Sequence, residues 1–571
     1  MKDKNKIMAG VLILFFCLRI LYLDIDAPNY AILQYTRGDE GHYAMQAIKN
    51  VMHEEMKEAE LLNGGVYETW NSSASFLNTV LCTATLYLFG RNFYGLRLAD
   101  YIAGLISFLL LIKIIYEEDK KLGKGKFYWT LFIIGIGVLF NFPYLIACRF
   151  NDPGIFRILI IMCTLFYVWR DCNRFGEPGY FILGILSALN VVWGYATNVF
   201  VFVPAGILLL YGLAGRNKGI WKKIGKMASG TGVGYVLGEA CIYLAQGSTF
   251  TETCLRINQA MGEDRLSFTI REFLNNIYRF CMGNIFSYNG LFMVLAVISV
   301  VYVLSTGHLG KDKFRLYLAW LSVGLAIQSI FVNDTMIRKS IVIYPVLMLA
   351  ISCLLRDCIE GRIRIDSFSW RKRGGICVGV IFLGCVWMCV AVKRLAMIEE
   401  TDFSDAGKRA LVALNVLALC LFIMFLLLVR RKVKVLAALA VLPMILPDIF
   451  LSCQYFSWAG YEDKAIMMEL QELVGNNYVL GGYPYHYCLY NEMIPLSSTY
   501  DKFLPEDREE RAKKLLQSGQ VNYFLGNNEK KMIDGWLEDT SWQWVLVKRF
   551  EETPRDYGGR REIYLYQKVL K

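Results

Sequence analysis

Charge is scarce in this chain. Asp, Glu, Lys and Arg make up 19% of its 571 residues, against about 25% in an average soluble domain. With 55% hydrophobic residues and a mean hydropathy of +0.37, that shortage excludes an ordinary soluble enzyme. Paired CxxC motifs are also missing, although there are 16 cysteines. Most of these cysteines lie inside apolar segments and read as small core residues, not as a metal site or disulfide framework. Cys254, Cys281, Cys453 and Cys488 fall in outer segments, where a disulfide stays open. The N-terminal run MKDKNKIMAGVLILFFCLRILYL lacks a small-x-small cleavage site, and Arg19 interrupts it late. It therefore reads as an uncleaved first span and not as a secretory signal. No internal repeat and no low-complexity segment is present.

What is present is a series of apolar runs of about 18–20 residues, each long enough to cross a bilayer as a helix. The net charge of +11 excludes nucleic acid as a partner by its placement, because the basic residues cluster in short connections between these runs. Spans are predicted at 8–23, 99–116, 127–146, 155–169, 180–194, 197–213, 229–245, 284–304, 316–332, 340–355, 374–392, 410–429 and 435–452. Residues 76–89 are apolar but short, with Asn78, Thr79, Thr83 and Thr85 interspersed. If they lie on the surface, the basic clusters near Lys2, Lys120, Lys223, Lys313, Arg371 and Arg430 all face inward. The short outward connections then hold only Arg149, Arg338, Lys339, Lys393, Arg394 and Lys408. A crossing at 76–89 inverts that bias. The expected fold is a polytopic α-helical bundle of about 13 transmembrane helices, residues 1–452, with its N-terminus cytoplasmic.

From residue 453 the composition turns charged, and short apolar runs alternate with amphipathic ones. EDKAIMMELQELV and PEDREERAKKLLQSG read as helices; NYVLGGYPYHYCLY, VNYFLG, QWVLVKRF and REIYLYQKVL read as strands. A small α/β domain over 453–571 is expected on the outer side. In GYPYHYCLY the tyrosines either pack or stack on a sugar, and packing is the more ordinary outcome.

The outer face also carries polar groups that recur along the chain. The first outer loop, 24–98, holds RGDEGHY with Asp39, Glu40, His42 and Tyr43, a Glu- and Lys-rich helical stretch from His53 to Glu60, and Glu68 in GGVYETW. Asp39 also suits a plain N-cap, with Glu40 near the positive end of the helix. Arg149 and Asp152 follow in ACRFNDPGIFR, and Arg338 and Lys339 in NDTMIRKSIVIYP. Asp152 alone fits a turn before proline, and the basic pair alone fits interfacial anchors. Their joint recurrence on one face points to a shared polar cavity, because carboxylates at a membrane mouth need solvation or partners.

A DE pair followed by xxY in the first outer loop resembles the GT-C superfamily of membrane glycosyltransferases. Family 39, with its protein O-mannosyltransferases and lipid A aminoarabinose transferase, is the nearest likeness. YLFGRNFYGLRLADYIAGL is similar to its "FG…RL" segment, CRFNDPGIF to its "R…D" loop, and MIRKSIVIYPVLMLA to its "RY…P" entry. The YE of GGVYETW resembles a loop motif of the aminoarabinose transferase, where Lys commonly follows; here it is Thr69. The likeness covers roughly residues 8–355.

The resemblance implies transfer of a sugar from a polyprenyl-phosphate donor to an acceptor (lipid, protein or envelope polymer) on the outer face of a bacterial plasma membrane, with inversion. Asp39 suits the base that deprotonates the acceptor. Arg338, Lys339 and Arg149 suit the leaving phosphate. Glu40 and Asp152 orient the site or, with Asp39, hold Mg or Mn, for which three carboxylates plus waters suffice. His42, Tyr43 and Glu68 stand second. The rival function is a transporter or flippase of a lipid-linked substrate, which would place ionisable residues nearer the bilayer midplane. A non-catalytic assembly or sensor protein is the third.

Overall fold

A computed structural model of the chain describes residues 2–21, 23–25, 37–52, 76–123, 127–151, 153–194, 196–215, 217, 219–246, 249–252, 254, 270–271, 274–277, 288–309, 312–331, 340–363, 370–396, 404–428, 441–458, 460–481, 484–497, 513, 516, 519–526, 530–538, 540–551 and 562–571. The helices track the apolar runs. α1 (Lys2–Cys17), α2 (Arg37–Val51), α3 (Phe76–Phe89) and α4 (Phe93–Lys120) come first. α5 (Trp129–Phe140), α6 (Phe142–Ala147), α7 (Gly154–Phe175) and α8 (Tyr180–Leu189) follow, then α9 (Phe202–Ala214) and α10 (Ile220–Gln246). α11 (Gly290–Leu309), α12 (Lys313–Phe331), α13 (Tyr344–Glu360), α14 (Trp370–Ala396), α15 (Asp405–Leu428) and α16 (Leu446–Trp458) complete the bundle. Phe93–Lys120, Gly290–His308, Ile341–Glu360, Gly374–Lys393 and Asp405–Met424 are long and apolar enough to cross a membrane.

α3 has 14 residues, which at about 1.5 Å per residue is roughly 21 Å, short of a ~30 Å hydrocarbon core. It packs between α2 and α4. The predicted span 127–146 is two helices, a departure with a local cause. Asn141 is extended, its side chain caps Tyr144 N–H, and Pro143 sits in the first turn of α6. Proline continues no preceding helix, but fits a first turn. Asp448 secures the break: its carboxylate accepts from Phe142 N–H at 3.0 Å, Asn141 Nδ2 at 3.3 Å and Asn289 Nδ2 at 3.0 Å.

α8 and α10 cross closely because glycine lines their contact. A Cβ at Gly230 would lie 1.9 Å from the Phe181 carbonyl oxygen, and one at Gly184 2.3 Å from that of Met227. Small residues permit such backbone approach between membrane helices. Gly230→Leu is expected to lower the thermal unfolding temperature in detergent, since overpacking costs typically about 1–3 kcal/mol. Gly232→Leu, where a Cβ meets nothing within 4 Å, serves as the tolerated control.

The C-terminal region contains α17 (Glu462–Val474), β1 (Tyr478–Gly481), α18 (Pro484–Tyr487), β2 (Ile494–Ser497), β3 (Val521–Gly526), α19 (Lys530–Gly535), β4 (Trp542–Glu551) and β5 (Glu562–Leu570). The strands form one sheet in the order β2-β1-β3-β5-β4. β1 is parallel to β2 and β3, while β5 is antiparallel to β3 and β4. Among the described residues of the predicted strand NYVLGGYPYHYCLY, only Tyr478–Gly481 is β-structure; Pro484–Tyr487 is a helical turn, and Tyr485 and Tyr487 are buried with Cys488 and Leu489 that follow it. Those tyrosines pack. Most of PEDREERAKKLLQSG lies outside the described residues. A single buried apolar cluster runs from Leu12 on α1 to Leu565 on β5, so the sheet domain shares its core with the helix bundle.

Candidate functional site

The site begins with a buried ion pair. Glu40 in the first turn of α2 is fully buried, and Arg97 in the second turn of α4 is 2% exposed. Arg97 Nε and Nη2 donate to the two Glu40 carboxylate oxygens at 2.6 and 2.8 Å. This fork-on-carboxylate geometry is the strongest form of such a pair. Arg97 Nη1 donates to the carbonyls of Leu23, at 2.8 Å, and Ile25, and the guanidinium lies 4.0 Å above the Phe93 ring. Glu40 Oε1 also accepts from Asn151 N–H at 3.3 Å. Asn151 in turn accepts from Asn78 Nδ2 at 2.7 Å. Five separated stretches, the end of the first span, α2, α3, α4 and the loop after α6, therefore meet around one carboxylate.

Beside this cluster an apolar groove of about 1100 Å³ runs along α1, α5 and α16, lined by Met8, Phe15, Ile136, Leu139 and Phe456. Arg19 and Arg149 also line it. Arg149 Nη1 donates to the carbonyls of Arg19 at 2.9 Å and Leu21 at 3.2 Å, and its guanidinium lies 5.4 Å from the Phe456 ring. Arg19 donates to the Leu139 and Val138 carbonyls, and its Nη1 is buried with no hydrogen-bond partner among the described residues. An apolar trough ending at two guanidiniums is complementary to an amphiphile with an anionic head.

A cavity of about 250 Å³ at the far end of α4 lies among Glu118, Arg315 and Arg356. Arg356 pairs there with Glu118, and Arg315 with Asp357 at 2.6 Å. That end is a clamp between helices.

α2 begins at Arg37, so Asp39 lies within its first turn and is not the N-cap. The side chains of Asp39 and His42 are outside the described residues, as are Asp152, Glu68, Arg338, Lys339, Cys281 and the stretch His53–Glu60. Tyr43 is half-buried on α2. The neighbours of the two acidic residues nonetheless touch, since Glu40 hydrogen-bonds to Asn151. Glu40 is engaged on both oxygens by Arg97, which leaves it a poor metal ligand, and among the described residues no group of three His, Cys, Asp or Glu side chains is placed to hold an ion. Cys254, Cys453 and Cys488 are free thiols. Burial pushes the Cys488 thiol up to about 11, which excludes it as a nucleophile near neutral pH.

Two basic residues escaped the sequence reading. Arg97 stands in the quoted run YLFGRNFYGLRLADYIAGL, and an arginine entering an apolar helix demands an acidic partner; that was its signal. In the sequence Arg19 stands as an interruption of the first span, a charge near its end, and nothing local marks it as facing a groove.

Neither a protein-family model nor a curated protein sequence matches this chain. Among solved structures, ArnT from Cupriavidus metallidurans in the apo state superposes with a TM-score of 0.52 at 16% identity, covering 97% of this chain and 98% of that one. The same protein bound to undecaprenyl phosphate gives 0.54 at 14% identity, with the same coverage. From α1 through β5, this multi-pass membrane protein shares the fold of ArnT.

Proposed function

We propose that this chain is a membrane glycosyltransferase that takes a sugar from a polyprenyl-phosphate donor. It passes the sugar, with inversion, to an acceptor hydroxyl or amine on the outer face of a bacterial plasma membrane. The observation that carries this reading is the groove beside the Glu40–Arg97 cluster, apolar along α1 and closed by Arg19 and Arg149. An isoprenoid chain matches its lining, and a phosphate matches its end. The ArnT structure of the same fold bound to undecaprenyl phosphate supports that occupant. In this reading the thirteen-span topology holds, with α3 on the outer surface, the N-terminus cytoplasmic and the sheet domain extracytoplasmic.

The acceptor attacks the anomeric carbon while the bond from that carbon to the phosphate oxygen breaks. Asp39 takes the acceptor's proton, and the phosphate leaves on its lipid with its charge met by Arg19 and Arg149, joined by Arg338 and Lys339. Glu40 takes the orienting role: its carboxylate locks α2 against Arg97 and the Asn151 loop. If Mg or Mn takes part, its protein ligands are Asp39 and Asp152. The buried ion pairs Arg97–Glu40, Arg356–Glu118 and Arg315–Asp357 sit at helix ends, an arrangement that favours surface chemistry over passage of a substrate through the bundle.

The test is to incubate the purified protein with a panel of radiolabelled polyprenyl-phosphate sugars and measure release of the lipid phosphate. Failure with every donor, together with protein-dependent movement of a lipid-linked sugar across vesicles, would favour the flippase. Within this scheme Arg19→Ala and Arg149→Ala are each expected to weaken undecaprenyl phosphate binding about 10- to 100-fold, because a hydrogen bond to a charged group contributes about 1.5–3 kcal/mol. Microscale binding in nanodiscs reads this directly; unchanged affinity in both variants removes the groove's end as the phosphate site.

A further inference from the structure

The sheet domain meets the start of α2 at His486. Its backbone lies against Gly41, the residue after Glu40: a Cβ at Gly41 would stand 2.4 Å from His486 N and 2.6 Å from its Cα. Only a residue without a side chain allows α2 that close to α18. The His486 ring is 1% exposed, with Nε2 3.3 Å from Oδ2 of the fully buried Asp463 on α17. The ring also packs 5.9 Å from Phe93, the same ring that supports Arg97 from below. Phe93 N–H donates to Tyr490 Oη at 3.2 Å, so the sheet domain also holds the start of α4. Asn491 Nδ2 fixes the α18 turn by donating to the Tyr487 and Met467 carbonyls at 2.7 and 2.9 Å.

We propose that His486, anchored by Asp463, is a positioning residue that clamps the first turn of α2 against α4, so that the sheet domain sets the placement of the Asp39–Glu40 pair. Glu40 is thus held from two sides: its carboxylate by Arg97, and its backbone through Gly41 by α18. A buried histidine hydrogen-bonded to a carboxylate supplies a rigid, directional wedge that an apolar residue of similar size lacks. The proposal rests on the transfer function for its catalytic consequence, but the clamp itself is readable without activity.

The experiment uses the full chain in nanodiscs, with His486→Ala, His486→Gln and Gly41→Ala. His486→Gln keeps an N–H within reach of Asp463, whereas Gly41→Ala pushes α2 off α18 with His486 intact. Hydrogen–deuterium exchange of the α2 amides is followed, with binding of undecaprenyl phosphate and with turnover of whichever polyprenyl-phosphate sugar the wild type uses. Expected are faster exchange confined to α2 in His486→Ala and Gly41→Ala, unchanged lipid-phosphate affinity, and kcat lowered roughly 10- to 100-fold at constant KM, the scale of a small misplacement of reacting groups. His486→Gln should recover most of both. Unchanged α2 exchange in both variants overturns the clamp, as does exchange rising equally through α4 and α13, which marks general loosening. Faster α2 exchange in a protein whose wild type turns over no donor sustains the clamp and defeats the transfer reading instead.

Discussion

Asp39→Asn is expected to lower sugar transfer by about 10²–10⁴-fold, the usual contribution of a positioned general base, while undecaprenyl phosphate binds as before. The amide keeps the size and hydrogen-bonding shape of the carboxylate but takes no proton from the acceptor. Because the proposed phosphate contacts lie on other elements, at Arg19 and Arg149 beside the groove, donor affinity and turnover should separate cleanly. Single-turnover release of radiolabelled lipid phosphate, set beside equilibrium binding, reads both. A flippase treats the substitution differently: transport of a lipid-linked sugar survives the loss of one outer carboxylate. Equal loss of binding and transfer removes Asp39 from the role of base.

Arg97→Met carries the largest expected cost in stability. It leaves the fully buried Glu40 carboxylate facing an apolar side chain, and breaking a buried pair from one side costs about 3–5 kcal/mol. Thermal unfolding in detergent should show it, accompanied by loss of transfer. The informative variant is the double replacement Arg97→Met with Glu40→Leu. Removing both charges together is often close to neutral for stability, so the melting temperature should recover in part, held back by the Leu23 carbonyl and Asn151 N–H that lose their partners. Activity should not recover, because the carboxylate that ties α2 to the loop after α6 is gone. Return of transfer along with stability means the pair serves folding alone.

Much of the architecture was legible because hydrophobicity is a local property. Apolar runs marked the helices from α4 to α16, and β3, β4 and β5 fall in VNYFLG, QWVLVKRF and REIYLYQKVL as their β-type composition predicts. The errors are also local in cause. An Asn and a Pro within four residues broke the 127–146 run into α5 and α6, since Asn141 capping and the missing N–H of Pro143 outweigh continuous hydrophobicity. In GYPYHYCLY, aromatic content predicts strand, whereas Tyr485 and Tyr487 fill a core around a helical turn.

The sequence by itself determined that this is a multi-span membrane protein with a mixed α/β appendage, and that its acids gather in connections predicted to lie on one side. Charge density and apolar run length follow from residue order alone, with no need to know what packs against what. Tertiary structure decided the rest. Glu40 meets Arg97 across 57 positions and Asn151 across 111, Arg19 turns out to face a groove, and the sheet domain settles on Gly41. Such pairings depend on which helix faces which, and at these separations no periodicity in the chain records it.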